Sequence, residues 1–107
     1  MIYPSDIELR GFFGTEPSVE DELYTYQIQG SCNLLFSFSF NTSDDSVQTV
    51  VKQDERIIAL TSHERLNRMW IDEKTLRAEF ESDGYKITLT LTVRPFVQIE
   101  WSGLRTI

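Results

Sequence analysis

Apolar and polar residues alternate over most of this chain, most plainly in Leu34-Leu35-Phe36-Ser37-Phe38-Ser39-Phe40-Asn41. Strand side chains point to opposite faces with period two. Leu34, Phe36, Phe38 and Phe40 therefore load one face, and Ser37, Ser39 and Asn41 line the other. Such a wall of phenylalanine needs a second layer. Upstream, Tyr24, Tyr26 and Ile28 alternate with Thr25, Gln27 and Gln29, and Gly30-Ser31 then turns the chain. The pattern predicts a hairpin between this segment and the phenylalanine strand.

The other elements follow from the same reading. Ile7-Glu8-Leu9-Arg10-Gly11-Phe12 alternates and predicts a first strand, which Phe13 to Ser18 breaks with Gly14 and Pro17. Ser18-Val19-Glu20-Asp21 has the form of a helix start, but β-favouring Tyr24, Thr25 and Tyr26 follow at once, leaving room for one turn at most. Turn formers from Asn41 to Ser46 precede a strand at Val47 to Lys52, and a short turn at Gln53-Asp54 precedes another at Ile57 to Thr61. Residues 62–71 fit two periods. Leu66, Met69 and Trp70 have helical spacing, whereas Leu66, Arg68 and Trp70 fit a strand; the flanking β pattern favours a loop and then a strand ending at Asp72.

Asp83-Gly84 is suited to a type I′ hairpin turn, whose central residues both need positive φ. With those two as the loop, Ser82 faces Tyr85, Glu81 faces Lys86, Phe80 faces Ile87, Ala78 faces Leu89 and Leu76 faces Leu91. Apolar residues then meet apolar ones, and a shift of one residue would destroy the match. After Arg94-Pro95 a last strand, Val97 to Trp101, completes the series. The expected fold is all-β with room for one short helix. It is an antiparallel meander of about eight strands forming a sandwich, a strongly curved sheet or a partly open barrel. Leu76, Ala78, Phe80, Ile87, Leu89 and Leu91 supply the layer that covers the phenylalanines.

At 107 residues the chain has the length of a single domain, 1–107, with one core. No apolar run is long enough to span a bilayer, and the opening Met1-Ile2-Tyr3-Pro4 lacks the form of a signal peptide, so a cytoplasmic location is expected. The single Cys32 fits a reducing compartment. Net charge is −7, and its placement matters more than its sum. Residues 1–51 hold eight acids against the one base Arg10, while the remainder holds nine of each sign. An acidic half disfavours nucleic acid or an anionic membrane as partner and favours a basic protein. Glu16, Glu20, Asp21 and Glu22 crowd the segment after Phe12-Phe13-Gly14, and Asp44 and Asp45 add a second acidic turn. These six are the candidate partner-binding residues, offering carboxylates to arginines and lysines. Solvation alone is the competing explanation.

Catalytic chemistry finds no foothold in the sequence. His63 and Cys32 are the one histidine and the one thiol, too few for a zinc site and far apart for a nucleophilic pair. Gly-x-Ser-x-Gly and phosphate-loop motifs are absent, and the acidic pairs at Asp44-Asp45, Asp54-Glu55 and Asp72-Glu73 do not make a calcium loop. No cofactor is expected, and the chain reads as a non-enzyme.

The segment Phe13, Gly14, Pro17, Ser18 and Asp21, followed by a succession of antiparallel strands to residue 101, resembles the small immunity proteins of bacterial polymorphic toxin systems, including contact-dependent inhibition systems. One such family carries a Phe-Gly-x-Trp-Pro-Ser-Phe-His-Asp-like motif after an N-terminal strand. Glu16, Val19 and Glu20 stand where that motif has its tryptophan, phenylalanine and histidine. The resemblance implies an intracellular protein that binds one cognate toxin domain and blocks its active site or its access to a target. With the acidic half of the chain, the expected partner is a protein toxin with a basic surface, with no nucleic acid or membrane partner, and the expected state is a monomer or weak dimer. The alternative is a non-catalytic ligand-binding or assembly module of the same architecture.

Overall fold

The computed structural model describes residues 3–105, so Met1 and Ile2 of the opening segment lie outside it. One helix and nine strands are present among the described residues. The helix α1, Asp6–Phe13, stands where the alternation predicts a first strand. Two local forces decide this. Ser5 and Glu8 form a reciprocal capping box: the Ser5 hydroxyl accepts from the Glu8 amide at 3.1 Å, and the Glu8 carboxylate accepts from the Ser5 amide at 3.0 Å. Leu9, Phe12 and Phe13, three and four residues apart, then bury one helical stripe. Gly14 ends the helix in the left-handed region at φ 71°, and its amide donates to the Arg10 carbonyl.

The strands are β1 (Ser18–Glu20), β2 (Leu23–Gln29), β3 (Leu34–Asn41), β4 (Ser46–Gln53), β5 (Arg56–His63), β6 (Leu66–Asp72), β7 (Thr75–Ser82), β8 (Tyr85–Thr92) and β9 (Gln98–Arg105). They form two antiparallel meanders, a five-stranded sheet in the order β1-β2-β3-β4-β5 and a four-stranded one in the order β6-β7-β8-β9. Neither sheet closes into a barrel, which selects the sandwich among the expected architectures. The predicted β2–β3 hairpin forms, pairing Tyr26 with Phe38 and Ile28 with Phe36. Every pair expected around Asp83-Gly84 is also present, with φ of 50° and 81° at the two turn residues. The ambiguous residues 62–71 resolve into the end of β5, a short link and β6. Ser18 to Glu20 is strand rather than a helical turn, because it pairs with Leu23 to Thr25.

Phe36, Phe38 and Phe40 of the first sheet face Leu76, Ala78, Phe80, Leu89 and Leu91 of the second, and all are buried. Phe13 brings α1 into this core, its ring stacked on Tyr26 at 4.5 Å and tilted on Phe38 at 5.2 Å. On the other flank the Trp101 indole N–H donates to the Thr49 hydroxyl at 2.9 Å, joining β9 to β4 across the sheets.

Candidate functional site

Strand direction sorts the connections onto two ends of the sandwich. The β1–β2 turn, the β3–β4 turn, the β5–β6 link and the β7–β8 turn share one end. The Thr42 amide donates to the Glu22 carbonyl at 3.1 Å, the Leu66 amide to the Asp45 carbonyl at 2.9 Å, and the Arg65 guanidinium to the Ser82 hydroxyl at 2.9 Å. The meander therefore brings Asp21, Glu22, Asp44 and Asp45 together from separate turns, with Glu64 and Asp83 beside them and Glu20 at the adjoining end of β1. All are exposed except Asp45, which is half-buried. Asp45 accepts a 2.5 Å hydrogen bond from the Tyr3 hydroxyl, whose pKa is raised by burial and then by that carboxylate. Asp44 accepts from Ser46 at 2.6 Å.

Glu16 does not join this end. It lies before β1 and pairs with Arg10 at 3.1 Å, and Arg10 also holds Asp6 at 3.0 Å. The acidic segment is thus divided: Glu16 is matched to a base on α1, while Glu20, Asp21 and Glu22 belong to a strand and its turn rather than to a loop. Phe12 and Phe13 point into the core. Cys32, in the β2–β3 loop, and His63, at the far end of β5, occupy opposite ends of the first sheet.

The opposite end carries its own exposed charged turns, Asp54-Glu55 and Glu73-Lys74, and beside them a mostly apolar cleft. Thr49 meets the second sheet through Trp101, but beside it Val51, Ala59 and Thr61 are small, and an open cleft of about 800 Å³ remains between the layers. Its other walls include Ile28, Phe36, Val97 and Trp101, with Phe96 at the mouth and 63% exposed. Next to it, β5 exposes Ile57, Ile58 and Leu60 by 56%, 56% and 51%. In the sequence, Ile57 to Thr61 is a strand without an assignable face, because a continuous apolar run carries no periodicity. The signal lay in its position, last before the Ser62 to Arg65 break and hence at a sheet edge.

No protein-family model matches the sequence, and no curated protein matches it. A solved structure does. A chain of a contact-dependent growth inhibition toxin–immunity protein complex from Klebsiella pneumoniae 342 superposes with a TM-score of 0.83 and 26% identity, covering 94% of this chain and 95% of that one. The resemblance to immunity proteins of contact-dependent growth inhibition systems, drawn from Phe13, Gly14, Pro17, Ser18, Asp21 and the strand succession, thus extends to the fold of nearly the whole chain.

Proposed function

We propose that this protein is a cytoplasmic immunity protein that binds one cognate toxin domain and neutralises it without catalysis. The observation that carries the reading is the match along 94% of the chain to a member of a toxin–immunity protein complex. The acidic end supports a basic partner surface. Carboxylates gathered from several turns, with Arg65 as the basic residue of the adjoining link, set up a field that speeds encounter with cations and repels nucleic acid and anionic membranes. A toxin acting on a polyanion needs a basic face, and covering that face blocks its activity. The protein works on this reading as a monomer or weak dimer, with Glu20, Asp21, Glu22, Asp44 and Asp45 toward the toxin; Glu16, neutralised by Arg10, is a lesser contributor.

Growth protection tests the reading. The immunity reading expects a toxin domain to be encoded next to this chain, immediately upstream; susceptible cells induced for that domain should stop growing, and co-expression of this chain should restore growth. Arrest that persists while the folded chain accumulates would contradict the proposal.

A further inference from the structure

Among the four sheet edges, three are blunted against pairing. β1 is three residues long and ends in Glu20; β6 is interrupted by a bulge at Asn67 and carries Arg68 stacked 4.1 Å over the Trp70 ring; β9 exposes Gln98 and Glu100. Short length, bulges and outward charge are the devices that keep edges from recruiting other strands. β5 differs. Residues Ile57, Ile58, Ala59 and Leu60 are all exposed, and among the described residues no strand pairs with its free side. Its one irregularity lies near its start, and from Ala59 to His63 the ladder is regular. Val51 pairs with Ala59 and Lys52 with Ile57, so Ile58 is the extra residue, and the slip places Ile57 on the outer face with Leu60. On that outer face Leu60 lies beside Val50, and Ile57 beside Lys52 with Leu35 beyond it.

A segment added beside β5 would meet apolar surface on both sides: Ile57 and Leu60 outside, and the cleft mouth beside Ala59 and Thr61 inside. β5 then runs directly into the acidic end at His63-Glu64, where Asp44 and Asp45 stand on the neighbouring turn. The occupant's chemistry follows from this course: apolar over roughly five to six residues, the usual length of a strand, and basic beyond the end that lies over Glu64. Resting on the immunity reading, we propose that the cognate toxin docks by adding such an extended segment to β5 as a sixth strand, closing the cleft and setting its basic residues against the acidic end.

Amide hydrogen exchange on the free protein and on its complex with the toxin domain encoded upstream tests this, together with Leu60→Lys and Asp44→Lys. Leu60 is half exposed, so its variant should melt as the wild type does. The proposal predicts that amides of residues 57–62 gain at least tenfold protection in the complex and that L60K weakens binding at least tenfold, with a smaller loss for D44K. Wild-type binding without β5 protection overturns strand addition and leaves the immunity reading standing, whether or not L60K weakens binding. A free protein that is already dimeric and protected at β5 assigns the edge to a second copy and overturns the proposal. Failure of the wild type to bind overturns both.

Discussion

At the scale of single residues, two tyrosines show how the same hydroxyl acts differently with and without a partner. Tyr26 is fully buried, and its hydroxyl has no hydrogen-bond partner among the described residues. Its ring, stacked between Phe13 and the sheet, supplies the packing, while the oxygen adds a desolvation cost. Tyr26→Phe should therefore leave stability unchanged or raise it by up to about 1 kcal/mol in thermal unfolding. Tyr3 is the opposite case, donating to Asp45 and stacking on Phe40 at 5.3 Å. Tyr3→Phe should lose about 1 kcal/mol, since the bond is charge-assisted but partly solvated. Both phenols have pKa values raised above the ordinary 10.0, chiefly by burial. The folded state holds these protons more tightly than the unfolded state, so their contribution is complete below pH 10 and declines as pH rises beyond it. The alkaline limb of a stability–pH curve should be less steep in Tyr3→Phe than in the wild type.

At the scale of elements, the hairpins were legible and the helix was not. Asp83-Gly84 fixes its own register, because a two-residue turn leaves one pairing in which Leu76, Ala78 and Phe80 meet apolar partners. Only Ile7 to Leu9 keeps period two; Phe12 falls three residues after Leu9 and so fits period 3.6, and the deciding Ser5-Glu8 box lies at the start of the segment. Ser18 offered a similar cap signal where β2 instead captures the segment as β1. The helix is tied down at Gly14. A Cβ there would lie 2.2 Å from the Arg94 guanidinium, which donates to the Phe12 carbonyl at 3.1 Å and so holds the β8–β9 loop to the end of α1. Gly14→Ala combines a strained left-handed alanine with that displacement. It should cost about 1–2 kcal/mol in chemical denaturation, well beyond the same change at exposed Gly11, where a Cβ meets open space.

At the scale of the whole molecule, six carboxylates from separate turns gather at one end, and the exposed apolar strand β5 runs from beside the cleft toward them. The acids were visible in the sequence, but their convergence depends on the meander returning four connections to one end, which no local pattern records. The exposure of Ile57 to Leu60 is likewise a property of edge position, and the cleft depends on how far small inward residues fall short of the opposite sheet. Reversing Glu20, Asp21 and Glu22 to lysine should slow association with the toxin domain by about tenfold or more at low salt, and the difference should shrink as screening shortens the reach of the field. Equal association rates at low salt would remove the acidic turn from the interface.

Recognition and silencing of one toxin is the activity on which the charge, the fold and the exposed edge converge. Titration calorimetry of the purified protein against the toxin domain encoded upstream, with toxin activity assayed on the same mixtures, tests it most directly. A one-to-one complex with Kd on the order of nanomolar and loss of activity at the equivalence point are expected. Absence of binding at micromolar concentrations, with the toxin fully active beside the folded protein, would contradict it.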